Sequence, residues 1–340
     1  MKLAVTFTLA LLSLCVVARE RSAAFLDAMR NGATAKIKLR VVDDGSRPVA
    51  LAKVRVFMGM NFRERGYWIE GETDSNGMFV IEGKTTGNEI EIHLSKNDYY
   101  GSFRKLCFIA NGAESKVKGG KWQPYGEELD VVLRPIKNPA KLQTVSEIKY
   151  KLTEAACKWI GYDLEKSDFV KPYGVGEVSD FEVYLDWDKV FSSDCMNLGF
   201  KIRFVEPFSG YYSTTIETDS EFKTPYNAIV DATYLKDASF YDKFGGERIR
   251  KAFDKSKCWV IRSRCKVDET GRLIAANYTV ARFLGMTGSR ELKPGFCFLG
   301  AFNPKSNDTN LEDAETARLS RLEYAQRLEY EGRCKEVKKR

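Results

Sequence analysis

Histidine is almost absent from this chain: 340 residues include one, His93. In EIEIHL it alternates with Ile90, Ile92 and Leu94, which puts it on the outward face of a strand. A Ser-His-Asp or Cys-His centre would have to be built there, and zinc sites of the HExxH type are excluded. Phosphate-cradling glycine loops are missing too, because GVGE at 174–177 lacks the P-loop lysine and the rest of the dinucleotide fingerprint. Beyond the N-terminal stretch, no apolar run reaches the ~20 residues that a membrane-spanning helix needs. Cysteine is present but unpatterned. After Cys15 come Cys107, Cys157, Cys195, Cys258, Cys265, Cys297 and Cys334, an odd number at spacings that define neither a disulfide framework nor a zinc knuckle. Cys258 and Cys265 share a predicted strand that holds them roughly 23 Å apart, too far for a bridge. Alternation puts Cys265 on the face of Trp259, Ile261 and Val267, as a small buried hydrophobe. No metal, cofactor or catalytic residue is assigned.

What the chain does have begins with MKLAVTFTLALLSLCVVARE, a basic residue followed by an apolar and hydroxyl run from Leu3 to Val17. The run is short for a membrane span, and Val16 and Ala18 supply small residues for a signal peptidase, so residues 1–18 read as a signal peptide cleaved after Ala18. A lipobox reading of Cys15 is opposed by the bulky Leu14 before it. The expectation is export to the periplasm, cell surface or medium, with no transmembrane helix in the mature chain. Hydrophobic residues at 44% and aromatics at 12% predict a globular product long enough for two cores. The net charge of +7 becomes +6 once Lys2 leaves, a mild excess that serves solubility or attracts acidic partners.

From Ala35 the pattern is period two: KIKLRVV at 36–42, AKVRVF at 52–57, EIEIHL at 89–94 and LDVVL at 129–133. Turn clusters such as DDGSRP and TTGN separate them, which predicts an antiparallel sandwich of about a hundred residues. Within GETDSNGMFVIEG, Asp74 and Asn76 suit a turn and Gly77 accepts a positive φ; the further oxygen ligands and distal glutamate of an EF-hand loop are missing. The order RVVDDGSRPVALAKVRVFMG, GETDSNGMFVIEG, EIEIHLSKNDYYG resembles a carboxypeptidase regulatory-like domain, an Ig-like or transthyretin-like β-sandwich, over about 35–135. That resemblance implies a non-catalytic folding, spacing or glycan-contact module. In zinc carboxypeptidases such a domain accompanies a separate catalytic one, for which no histidine remains here.

Prolines in KNPAK after LDVVLRPI mark a boundary near Asn138. Ile148, Leu152, Ala155, Ala156 and Trp159 would suit one face of a helix over Thr144–Ile160. The following segments read as mainly β, including a hairpin of CWVIRSRCKV and RLIAANYTVARF. The motifs KWQPYGEELDVVLRPIKNP, GYDLEKSDFVKPYGVGEVSDF and FNPKSNDTNLED together are similar to uncharacterised exported bacterial proteins carrying the same sandwich in front. The chain closes in an amphipathic helix from about Asn310 to Val337, capped by Asn310 with Asp313 or Thr309 with Glu312, whose stripe of Leu311, Ala314, Leu322 and Ala325 docks on the protein. The expected division is 35–137 sandwich, 138–309 β-rich domain, and 310–340 helix and basic tail.

Carboxylate chemistry needs no histidine, and DFEVYLDWDKV offers Asp186 and Asp188. Phe181, Val183, Leu185 and Trp187 form its inward set, however, so Glu182, Asp186 and Asp188 should face water. Arg262, Arg264 and Lys266 would form an outward basic ladder, protecting a sheet edge or meeting an acidic glycan. FNPKSNDTNLED is rich in oxygen atoms that serve either turns or calcium. Asn277-Tyr-Thr and Asn307-Asp-Thr match glycosylation acceptors, relevant only to a eukaryotic secretory route. No nucleic-acid-reading module is present. Aromatics at predicted loops and strand ends, Trp68, Tyr99, Tyr100, Trp122 and Tyr125, are the candidate glycan contacts, since such rings stack on sugar faces. The function expected is an exported, non-enzymatic binding or assembly protein of a bacterial envelope or secretome, with glycan or envelope protein as partner. A carboxylate-based polysaccharide enzyme and a structural subunit are the rivals.

Overall fold

The computed structural model describes residues 23–59, 66–108, 117–145, 157–187, 196–245, 247–251, 254, 256–287, 295–322, 326 and 329. Residues 1–18, read from the sequence as a signal peptide, lie outside them. The protein is mainly β, built from several antiparallel sheets.

The front half opens with a helix, Ala23–Asn31, that the sequence reading did not predict. Its strands are β1 (Ala33–Val42), β2 (Lys53–Met58), β3 (Tyr67–Glu72), β4 (Met78–Thr85), β5 (Glu89–Ser95), β6 (Ser102–Cys107), β7 (Val117–Lys118), β8 (Lys121–Trp122) and β9 (Glu127–Val132). One sheet runs β4-β1-β8-β7 with β9 also on β1, and the other runs β3-β2-β5-β6. Pairing is antiparallel except that β8 and β9 run parallel to β1. Alternation is clean in β2, where Val54, Val56 and Met58 point inward to meet Ile37, Leu39 and Val41 of β1 and Ile90, Ile92 and Leu94 of β5. Period-two burial of this kind fixes which face of each strand meets water.

The GETDSNG stretch is a bend. Asp74 Oδ1 accepts the backbone N–H groups of Asn76 (2.9 Å) and Met78 (2.8 Å), and Gly77 turns the chain at φ 72°. A Cβ at Gly77 would sit 2.4 Å from the Val41 carbonyl oxygen, so glycine is required there.

The rear strands are β10 (Gln143–Val145), β11 (Trp159–Asp163), β12 (Asp168–Phe169), β13 (Phe181–Trp187), β14 (Met196–Arg203), β15 (Gly210–Thr215), β16 (Asp237–Gly245), β17 (Glu247–Lys251), β18 (Lys257–Val267), β19 (Leu273–Thr287) and β20 (Gly295–Asn303). They form the sheets β10-β20-β19-β18-β15 and β12-β11-β13-β14-β16-β17. Tyr162, Phe181, Phe200, Phe298 and Phe302 fill the core between them. The helix suggested for Thr144–Ile160 is corrected at both ends, because β10 includes Thr144 and Val145 and β11 includes Trp159 and Ile160; residues 146–156 lie outside the described set.

The C-terminal segment is tied to the front half. Buried Glu312 accepts Tyr100 Oη–H (3.0 Å) and the N–H groups of Lys137 (2.8 Å) and Asn138 (2.6 Å). The Arg134 guanidinium lies over the neighbouring rings of Phe222 and Tyr226 and donates to the carbonyls of Phe222 and Thr224. Residues 314–322 are helical, and Asp313 caps them by accepting from Thr316 N (2.9 Å). Of the expected stripe, Leu311 is buried just ahead of the helix and Ala314 is half-buried, whereas Leu322 is exposed and Ala325 lies outside the described residues; within the helix the buried positions are Ala317 and Ser320.

Candidate functional site

The solvent face of the β3-β2-β5-β6 sheet carries a continuous aromatic row. The register places Trp68 opposite Phe57 and puts His93 opposite both Arg55 and Phe103. Because Val54, Val56 and Met58 occupy the inward positions of β2, Arg55 and Phe57 must face outward, and pairing carries that phase to β3, β5 and β6. Ring centroids are 5.2 Å apart for Phe57 and Trp68, 5.5 Å for Trp68 and His93, and 4.9 Å for His93 and Phe103. Trp68 and Phe103 remain 42% and 43% exposed, well above what a core aromatic shows. The Arg55 guanidinium lies 4.6 Å from the Trp68 ring centroid and is held by Glu70 at 2.8 Å. At the other side Lys105 pairs with Glu89 (2.7 Å) and reaches Glu91 (4.0 Å), and the Glu89 bond raises the ammonium's proton affinity. The rings are therefore interleaved with charges on the two central strands, Arg55 opposite His93 and Glu91 opposite Phe57, and these charges are paired across the face, with Glu70 and Lys105.

Of the aromatics named from the sequence, Trp68 alone belongs to this row. Tyr100 and Trp122 are corrected as ligand contacts, since both are fully buried. Tyr100 stacks on Phe222 and its burial raises the phenol far above its usual range; Trp122 stacks on Phe108 and donates to the Thr85 carbonyl. Tyr99 is half-buried beside Lys96. Tyr125 bonds Glu82 (3.0 Å), which also pairs with Lys36 of β1, so it belongs to the opposite sheet. The five do not form one plate. Phe57 and Phe103 were missed, although an outward phenylalanine among the lysine and arginine positions of KVRVFM and SFRKLC is a visible exception to a solvated strand face.

In the rear half, Phe181, Val183 and Leu185 point into the core as expected and Asp186 lies on the other face; Asp188 is outside the described residues. The basic ladder is corrected. A bulge between Ser263 and Lys266, with Arg264 at φ 52°, breaks the alternation of β18. Arg262 is buried, donating to the carbonyls of Phe208 (2.7 Å) and Val230 (3.0 Å) over the Tyr234 ring. Arg264 clamps Asp180 (3.0 Å), Asp163 (2.8 Å) and Glu165. Cys265 consequently packs with Cys258 and Val260, on the face opposite Trp259 and Ile261, and burial pushes its thiol up to about 11. Burial raises Asp180 despite Arg264, while backbone donors from Glu177, Val178 and Lys166 help hold Asp163 low against its own desolvation. These carboxylates organise the loops at 163–180. In the 302–313 segment, the polar groups serve turns: Asn303 donates to the carbonyls of Asp308 and Asn310, and Asn307 accepts Ala276 N–H.

The chain matches no family model, and no curated protein sequence matches it. Among solved structures it is similar to 3-chlorocatechol 1,2-dioxygenase from Rhodococcus opacus, at 14% identity over 31% of this chain and 61% of that one, with a TM-score of 0.24. Hydroxyquinol 1,2-dioxygenase from Pseudomonas putida matches at 13% identity over 31% and 57%, TM-score 0.23. A DUF3823 family protein from Parabacteroides merdae matches at 9% identity over 80% of this chain and 96% of that one, TM-score 0.22. The matched part thus spans under two thirds of either dioxygenase, and no chemistry is carried over from these likenesses.

Proposed function

We propose that this chain is an exported, non-enzymatic binding protein whose front sandwich, a carboxypeptidase regulatory-like module, contacts neutral glycan through the outer face of β3-β2-β5-β6. The observation that carries this reading is the row Phe57, Trp68, His93, Phe103, with two of its rings more than two-fifths exposed. Pyranose rings present flat C–H faces that stack on aromatic surfaces, and equatorial hydroxyls reach charged neighbours at the edge. Arg55, Glu70, Glu89, Glu91 and Lys105 stand among and beside the rings, two cations paired against three acids, and this lack of positive excess favours an uncharged polymer over an acidic one.

An array of purified polysaccharides tests the proposal. Retention of a neutral glycan without release of reducing sugar supports it. Reducing-sugar release abolished by Asp186→Asn would instead establish the carboxylate-enzyme reading. Retention of no glycan, with co-purification of envelope proteins, would favour a structural subunit.

A further inference from the structure

The sheet that carries the aromatic row has two edges, and they are finished differently. β6 is half covered by a rear segment: Phe103 N–H donates to the Asp219 carbonyl (3.0 Å) and Glu221 N–H to that of Gly101 (2.8 Å). β3 pairs with β2 along all six of its residues, and among the described residues no strand lies on its other side. The strand that follows it, β4, is also an edge but is closed at both ends. Asp74 bonds both peptide groups of Met78 there (2.8 and 2.9 Å), and the Tyr67 hydroxyl bonds both of Lys84 (2.9 and 3.0 Å).

Thr73, just past β3, donates its N–H to Ala52 (3.0 Å) and accepts from Leu51 (2.9 Å), so its peptide groups turn toward β2. Alternation along an antiparallel strand gives Gly71, Ile69 and Tyr67 that direction and turns the N–H and C=O groups of Trp68, Glu70 and Glu72 to the open edge. Such a row of donors and acceptors is a template for one more strand, and β3 carries no proline, lysine or bulge to prevent it. Its side chains restrict which strand. Trp68, Glu70 and Glu72 are exposed on the outer face, and Glu72 makes no ion pair among the described residues. An antiparallel copy of β3 in full register would set Glu70 against Glu70, a like-charge contact that destabilises the pair. β2 shows what β3 accepts: Lys53 stands opposite Glu72, Arg55 opposite Glu70 and Phe57 opposite Trp68, with Val54 and Val56 turned inward.

We infer that the open edge of β3 takes up an extended segment of a partner protein, basic at alternate positions, as an added strand. The segment's backbone completes the bonds of Trp68, Glu70 and Glu72. Its lysine or arginine side chains meet the two glutamates, and an apolar side chain covers Trp68. This inference rests on backbone direction and charge, and it does not depend on glycan contact by the sheet's face.

Fluorescence anisotropy of a labelled peptide copying residues 52–59, AKVRVFMG, titrated with the full chain tests this edge. Saturable binding is expected, about tenfold or more tighter than for a peptide with glutamate in place of its lysine and arginine, because two opposite-charge cross-strand contacts become like-charge ones. Glu70→Pro deletes an N–H that serves no bond within the sheet, so the edge tolerates it while the added strand loses a bond and a charge. Binding should then weaken about tenfold or more. Glu72→Lys changes an exposed side chain and leaves the backbone alone, so it decides the matter even where the proline variant melts early. It should weaken the basic peptide about threefold or more and strengthen the acidic one. Absence of saturation, equal affinity for the two peptides, a preference that Glu72→Lys does not shift, or undiminished binding by a folded Glu70→Pro would overturn the inference. Self-association of the chain in sedimentation, abolished by Glu70→Pro, would make a second copy the occupant and overturn it as well.

Discussion

Replacing Arg264 by alanine removes the only guanidinium that bridges Asp163, Glu165 and Asp180 among the described residues. The side chains of Asp163 and Asp180 are 2% and 0% exposed. Asp163 keeps backbone donors from Glu177 (2.9 Å) and Val178 (3.1 Å), so the loss falls mainly on Asp180, left with the Leu164 N–H (2.7 Å). Breaking one side of a buried ion pair costs about 3–5 kcal/mol. Protonation of Asp180 provides an escape, and this fixes the pH dependence. Asp180 and Glu206 already have raised affinities for protons in the fold, so the folded state holds more protons than the unfolded chain above the ordinary carboxylate range, and their contribution to stability falls as pH rises. Without Arg264 the Asp180 shift is larger and the fall steeper. Urea unfolding followed by tryptophan fluorescence should give a penalty for Arg264→Ala of about 3 kcal/mol or more at pH 8, shrinking toward pH 5. A penalty below about 1 kcal/mol at pH 8, or one that stays constant or grows toward pH 5, would refute the clamp. Arg264→Lys should recover only part of the loss, because one ammonium cannot bridge three carboxylates.

Glu312→Ala orphans two backbone N–H groups and the Tyr100 hydroxyl, and should cost about 3 kcal/mol or more, at about 1–3 per buried unsatisfied donor. A calorimetric melt that leaves the transition unmoved would contradict the docking of the C-terminal segment. Gly77→Ala places a Cβ against the Val41 carbonyl at a positive φ and should destabilise the front sandwich by more than about 1 kcal/mol in the same melt. Under native maleimide labelling, exposed Cys107 and Cys157 should react quickly and buried Cys258 only in denaturant, since burial also raises its thiol pKa. Peptide mass mapping reads the order, and equal rates for Cys258 and Cys107 would contradict the rear packing.

Local pattern carried the front sandwich a long way. Alternation in KIKLRVV, AKVRVF and EIEIHL predicted three strands whose inward residues do form the core, and Asp74, Asn76 and Gly77 form the bend their chemistry favours. Partner choice was not legible, because nothing local to Glu127–Val132 specifies parallel pairing with β1. The fate of Tyr100 depends on Glu312 and Phe222, far along the chain, so a tyrosine in a polar turn read as available. The ladder of Arg262, Arg264 and Lys266 failed because one bulge shifts the phase of everything after Ser263, and a period-two reading assumes an unbroken pleat. The aromatic row was half legible: the phases of β2 and β5 were read, but β3 and β6 were not predicted, and the adjacency of Trp68, His93 and Phe103 required knowing that β2 lies between β3 and β5.

Affinity electrophoresis of the protein in gels containing a neutral polysaccharide that it retains tests the central proposal most directly. Trp68→Ala and Phe103→Ala remove the two most exposed rings of the row and should each weaken retardation about tenfold or more, the effect of losing roughly 1.5 kcal/mol of ring burial, with unfolding transitions within about 1 kcal/mol of the parent. Retardation undiminished in the double variant would contradict the account.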